Sequence, residues 1–229
     1  MVKVTGLRQL ASIAAAFDIG SDEARKLIFE DTFGGSTAEL KRCARDLLSS
    51  SKYAQDSVVR LGALSMLLHL RGDGLQDVSA LLRRQSRPVD FEIHFSLFCR
   101  LERKLYQEEP RGEKEILLIL EDYLSTVRSP RGRAAWMCGD LLHHWGTEAA
   151  TRMLSRATRK AKFPAGRIGA IHGLQHILNN ASPARRTAII RILRKVLLED
   201  PSPKVRRYAN WTLRSGGCWT ENHLARNLN

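Results

Sequence analysis

Cysteine is scarce in this 229-residue chain, and the four cysteines stand far apart. Cys43, Cys99, Cys138 and Cys218 form no CxxC pair, which argues against a zinc finger or a dense disulfide framework. Their spacing is typical of buried thiols in a reducing compartment, so we expect a cytoplasmic protein.

Long apolar runs are also lacking. No segment approaches the roughly 18–20 residues that span a bilayer. The apolar stretch from Leu10 to Phe17 is short, and Asp18 follows it at once, so it does not predict a signal peptide. We expect no membrane partner.

Catalytic signatures are missing too. The chain contains no GxSxG elbow, no glycine-rich phosphate loop and no Walker pattern. We therefore predict a non-catalytic protein without cofactors.

Two pairs of residues have the helical spacing of metal ligands: His172 with His176, and Asp140 with His144. No glutamate follows His172, and alignment of the two segments puts Asp140 opposite Leu174. The alignment does not predict that the pairs converge, so we predict no metal site and expect these histidines to edge a packing seam.

Acidic residues are few in one part of the chain only. Residues 1–55 carry a net charge of +1, residues 56–130 carry −1, and residues 131–229 carry +13 with only five acids. This segregation favours an anionic partner for the C-terminal part.

Almost every segment of the chain has the residue pattern of an α-helix. Apolar residues recur at three- and four-residue spacing, and glycine, proline or serine interrupts them every 12–20 residues. The predicted helices are 6–17, 21–31, 36–50, 54–70, 75–85, 90–107, 113–127, 131–145, 148–162, 165–179, 183–199 and 203–214.

Several of these segments repeat one plan. "SPRGRAAWMCGDLLHHWG", "FPAGRIGAIHGLQHILN" and "SPKVRRYANWTLRSGG" each place a proline shortly before an arginine, and small residues follow. These arginines are Arg133, Arg167 and Arg206, and Arg60 occupies the same place in "DSVVRLGALSMLLHL". Intervals of 34 and 39 residues, with two helices per unit, are typical of an α-solenoid.

The segments "VRRYANWTL" and "VRLGALSML" resemble the short bacterial HEAT-like repeats of the VRxxAxxxL type. The resemblance implies an all-α, HEAT-like solenoid of antiparallel helix pairs over residues 54–215. Residues 1–50 fit no repeat and are predicted to form a helical N-terminal cap, with the whole chain, 1–229, as a single domain.

By the same resemblance, the second helix of each repeat lines a concave surface. Two of these helices carry basic stripes, which predicts a groove that binds DNA or RNA through phosphates, or else an acidic protein. The residues predicted to bind are Arg152, Arg156, Arg159, Lys160, Arg186, Arg191, Arg194 and Lys195. The alternative is a different class of function, that of a protein–protein adaptor.

A second resemblance is to the HEAT-like alkylpurine DNA glycosylases, in which aromatic side chains and an aspartate contact the damaged nucleotide. Trp136, Asp140 and Trp211 would take these roles here. The register of the repeats places the family's aspartate nearer Trp136, and the doubled tryptophan of the family is absent from "AWMCGD". This enzyme is therefore a further alternative to the binding protein.

Overall fold

The computed structural model describes residues 6–70, 72–107, 113–128, 133–144 and 148–215. Regular structure in these ranges is helical, with no strand, which confirms the predicted all-α class. Each predicted helix is found within three residues of its expected ends, and one 3₁₀ turn, Ser51–Tyr53, was not predicted. The helices are α1 (Leu7–Ile19), α2 (Asp22–Phe33), α3 (Thr37–Ser49), α4 (Ser57–His69), α5 (Gly72–Arg83), α6 (Pro88–Gln107), α7 (Glu113–Thr126), α8 (Arg133–His144), α9 (Glu148–Lys160), α10 (Pro164–Asn180), α11 (Pro183–Glu199) and α12 (Pro203–Ser215).

Several helices begin or end at the serine, glycine and proline residues that the sequence indicates. Ser21 and Ser36 cap α2 and α3, because each hydroxyl oxygen accepts a hydrogen bond from a backbone N–H three residues on. Gly34 and Gly35 lie between them with φ of 60° and 68°, a left-handed conformation that favours glycine. Proline occupies the first position of α10, α11 and α12, where its missing N–H costs no helical hydrogen bond.

Among the described helices, none combines the length and the apolar composition that a membrane crossing requires.

The chain forms two compact units, Met1–Glu115 and Ile116–Asn229. In the first unit, α4 is the central helix and packs against α1, α3, α5 and α6. A Cβ on Gly62 of α4 would lie 2.3 Å from the carbonyl oxygen of Ala14, so α1 and α4 touch through their backbones. Asp18 and Arg100 form a buried ion pair at 3.1 Å in this unit.

In the second unit, α10 is the central helix. It lies between α8 and α12, and it also packs against α9 and α11, which contact each other. Helices α8, α10 and α12 thus form one side of the unit, and α9 and α11 form the other. The candidate sites of the sequence analysis fall on both sides.

Candidate functional site

An aromatic face extends across α8, α10 and α12. It consists of Trp136, His172, Tyr208 and Trp211. Trp136 stacks on His172 with 5.3 Å between ring centroids, and Tyr208 lies 5.7 Å from Trp136 and 5.4 Å from Trp211. The two tryptophans remain 41% and 51% exposed. Large aromatic side chains therefore reach solvent together at this one place.

Backbone contact between α8 and α10 brings this face together. A Cβ on Gly139 would lie 2.0 Å from the carbonyl oxygen of Gly169, and one on Gly169 would lie 2.3 Å from that of Ala135. We call this contact the glycine seam; it also includes Gly173. Because nothing bulkier than a backbone separates the two helices, the side chains that border the seam meet across it.

Asp140 of α8 meets two histidines of α10 in this way. Its Oδ1 lies 3.2 Å from Nε2 of His172 and 3.0 Å from Nε2 of His176, and the two Nε2 atoms are 3.3 Å apart. Tyr208 of α12 completes the arrangement, with its hydroxyl 2.8 Å from Nδ1 of His172. Asp140, His172 and His176 are called the histidine–aspartate cluster below.

The sequence alignment did not predict that Asp140 would meet the two histidines, and the packing of α8 against α10 explains why it does. The seam contacts show that α8 and α10 run parallel with matching residues about 34 positions apart, so Asp140 does lie level with Leu174. His172 and His176 lie one turn apart on the same edge of α10, on either side of the level of Leu174. A residue of α8 at that level therefore lies between the two histidines. The alignment was correct, but it implied convergence.

The charges of the cluster follow from these contacts. Partial burial alone would raise the pKa of Asp140, but the imidazoles of His172 and His176 outweigh it and hold the pKa well below its usual range. The contact with Asp140 raises the pKa of His176. Asp140 is therefore ionised at neutral pH.

Two neighbouring groups are shifted towards their neutral forms. Burial, followed by the nearby His144 and His176, lowers the pKa of His143 to about 4. Burial and the charge of Asp140 raise the pKa of Tyr208 to about 12. The surroundings of Asp140 thus hold neutral rings that can donate, accept or ligate.

Basic side chains flank the aromatic face on α12. Lys204, Arg207 and Arg214 are exposed and share a helical face with Trp211. Among the described residues, none of these three basic side chains forms an ion pair with a carboxylate. The sequence analysis assigned these residues no role, although their spacing from Trp211 is visible in the segment "SPKVRRYANWTLRSGG".

The arginines predicted to bind lie on the opposite side of the unit. A groove of about 690 Å³ between α9 and α11, the arginine groove, is lined by Arg152, Arg156, Arg159 and Arg185 among others. Arg152 pairs with Glu148 at 2.9 Å and Arg156 with Glu121 at 2.6 Å. Of the two predicted stripes, only the one on α9 contributes residues to this groove, so the stripes do not share it. The five predicted residues outside this lining are Lys160, Arg186, Arg191, Arg194 and Lys195, of which Arg186 is half-buried and the rest are exposed.

The three residues of the glycosylase alternative lie near one another. Trp136 and Trp211 both contact the ring of Tyr208, and Asp140 contacts His172, on which Trp136 stacks. Tyr208, His172 and His176 were missed as members of this site, because a local pattern does not reveal which neighbouring helix completes it. Comparisons of the chain with models of protein families, with curated proteins and with solved structures find no match.

Proposed function

We propose that this protein is a HEAT-like helical-repeat protein that binds nucleic acid through the aromatic face and the basic side of α12. The observation that supports the proposal best is the pair of half-exposed tryptophans, Trp136 and Trp211, joined through Tyr208. Nucleobases stack on such side chains whatever their sequence, and each stacked base contributes about 1–3 kcal/mol.

The charge next to this face favours the same partner. Lys204, Arg207 and Arg214 reach solvent beside Trp211, and residues 131–229 hold the whole positive excess of the chain. Phosphates neutralised by such side chains release counterions, which adds affinity that depends on salt. Only 7% of the residues are aromatic, but Trp136, Tyr208 and Trp211 gather beside these cations.

The repeat architecture is part of the proposal. The arginines at matched positions lie within the first four residues of α8, α10 and α12, and these helices lie side by side, while α9 and α11 follow them on the other side. This alternation is what successive helix pairs of a solenoid produce.

Replacing both tryptophans tests the aromatic face. In Trp136→Ala/Trp211→Ala, affinity for a fluorescein-labelled single-stranded oligonucleotide, measured by anisotropy, should fall roughly 5- to 140-fold for each base that stacks on these side chains, because each stacked base contributes about 1–3 kcal/mol. The control is Leu198→Ala, which removes an exposed apolar side chain of α11 from the other side of the unit. Equal affinity of the double variant and the wild type would reject this face.

The arginine groove is the competing surface. Arg156→Glu/Arg194→Glu reverses two charges of the predicted stripes, one inside the groove and one outside it. We expect this variant to lose less affinity for the oligonucleotide than Arg207→Glu/Arg214→Glu does. The reverse order would assign the phosphates to α9 and α11. No binding of DNA or RNA by the wild type, with a protein partner retained after nuclease treatment, would favour the adaptor instead.

Excision of an alkylated base is a second candidate function, favoured by the arrangement of Trp136, Asp140 and Trp211. Aromatic faces attract the positive charge of an alkylated base, and an ionised carboxylate can stabilise positive charge that develops on the sugar. The test is release of alkylated base from methylated DNA by the wild type and by Asp140→Asn. Release by the wild type alone would support excision, and no release by a wild type that binds the DNA would reject it.

A further inference from the structure

The histidine–aspartate cluster presents three donor atoms at the corners of a small triangle. Its edges are 3.0, 3.2 and 3.3 Å, joining Oδ1 of Asp140 and the Nε2 atoms of His172 and His176. We propose that these three residues form a mononuclear site for a divalent transition metal of the zinc class, with a further coordination position open. This inference goes beyond nucleic-acid binding and does not depend on it.

The size of the triangle matches the coordination geometry of zinc. Bonds of about 2.0–2.1 Å from zinc to nitrogen or carboxylate oxygen, at tetrahedral angles, place neighbouring donor atoms about 3.3–3.4 Å apart. The observed edges are at or slightly below this separation. An ion could therefore enter with shifts of a few tenths of an ångström.

Hydrogen bonding accounts for only one of the same contacts, the one between the two Nε2 atoms of His172 and His176. The distances between Asp140 and the two imidazoles are those of hydrogen bonds, but the angles are not. Among the described residues, Asp140 Oδ1 has no hydrogen-bond donor of acceptable geometry. The three atoms lie within 3.3 Å of one another, so a single cation among them could contact all three.

The surroundings hold the ligands in place. The hydroxyl of Tyr208 lies 2.8 Å from Nδ1 of His172, and a hydrogen bond from Nδ1–H would leave Nε2 free to ligate. The glycine seam fixes the distance between α8, which carries Asp140, and α10, which carries both histidines. The site is thus built before an ion binds.

The cluster is also accessible. The side chain of His176 is 41% exposed, while those of Asp140 and His172 are 21% and 17% exposed. Three protein ligands and an open position are the arrangement of catalytic rather than structural zinc sites. A metal here would use Asp140 as a ligand, so the carboxylate could not also act alone in base excision.

Titration with the metal alone tests the site. The full chain, stripped with chelator, is titrated with Zn²⁺ by calorimetry and with Co²⁺ by visible absorption. We expect one ion per chain and the intense d–d bands of a four-coordinate cobalt site. Replacement of a ligand, as in His172→Ala or His176→Gln, should weaken Zn²⁺ binding more than about 100-fold, and Tyr208→Phe should weaken it about 10- to 100-fold.

His143→Ala is the matched control. The ring of His143 stacks on His176 at 4.6 Å, but its Nδ1 lies 3.8 Å from Asp140 Oδ1 and outside the triangle. This variant should bind Zn²⁺ as the wild type does. The proposal fails if the wild type binds no stoichiometric Zn²⁺, if His176→Gln binds it undiminished, or if His143→Ala loses as much affinity as His176→Gln. Circular dichroism checks that each variant is folded.

Discussion

At the scale of single residues, buried charge in the second unit is paired within a connected network. Arg167 donates to both carboxylate oxygens of Asp200, at 2.7 and 3.1 Å, and to the carbonyl oxygen of Ala161. Asp200 also accepts a hydrogen bond from the backbone N–H of Ser202, and its carbonyl oxygen accepts one from Arg206. One aspartate therefore joins α10 to the turn between α11 and α12.

Removing the charge of Asp200 should destabilise the protein strongly. Asp200→Asn leaves the Arg167 guanidinium buried without its counter-charge, and such broken pairs cost about 3–5 kcal/mol. Urea unfolding of the variant and the wild type measures the difference in free energy. Glu199→Gln, at the exposed neighbouring position, should change it by less than about 1 kcal/mol. Similar effects of the two substitutions would contradict the role given to this pair.

At the scale of elements, helices α8 and α10 touch along the glycine seam, and this contact determines which side chains meet. Alanine would ordinarily stabilise a helix interior by up to about 1 kcal/mol over glycine. Here a methyl group has no space, because the neighbouring carbonyl oxygen already occupies it. Packing therefore overrides helix propensity at these positions.

Gly169→Ala should destabilise the protein for this reason. Its Cβ would lie 2.3 Å from the carbonyl oxygen of Ala135, so the helices must separate, at a net cost of about 1–3 kcal/mol. Chemical denaturation provides the measurement. Gly6→Ala is the control, since a Cβ there meets no atom within 4 Å. A Gly169→Ala variant as stable as the wild type would show that the seam can widen freely.

Sequence patterns predict elements better than they predict the contacts between them. Apolar periodicity and the breaking residues predict all twelve α-helices of the described ranges, because both signals act within a few residues. The partners of Arg167 and Asp140 lie 32 to 36 residues further along the chain, so these contacts depend on which edges of neighbouring helices meet. The small residues Ala135 and Gly169 indicate close packing. To predict which side chains meet there, one must also know which residue of α8 lies level with which residue of α10.

At the scale of the whole molecule, charge is the most uneven property. The first 130 residues are nearly neutral, and the excess of +13 falls on residues 131–229. This distribution concerns association with other molecules more than folding. For the proposed binding of nucleic acid, it predicts an affinity that varies with salt.

Affinity for an oligonucleotide should fall linearly with salt on logarithmic axes. Each phosphate contact contributes about −0.7 to −0.9 to the slope, so Arg207→Gln/Arg214→Gln should make the slope less steep by roughly 1.4–1.8. Anisotropy titrations at several salt concentrations give the slopes. Lys26→Gln, which removes an exposed cation of the first unit, should leave the slope as it is. An unchanged slope in the α12 variant would place the phosphates elsewhere.

The central position of α10 also has a consequence for amide hydrogen exchange. Helices α10 and α11 both have 17 residues, but nine are buried in α10 and three in α11. Amides in α10 should therefore take up deuterium more slowly than those in α11, since they are released only when the packing around them opens. His172 and His176 belong to this slowly exchanging helix. Their nitrogen atoms are thus carried by a helix that should open less often than α11, and a ligand would meet them already in position.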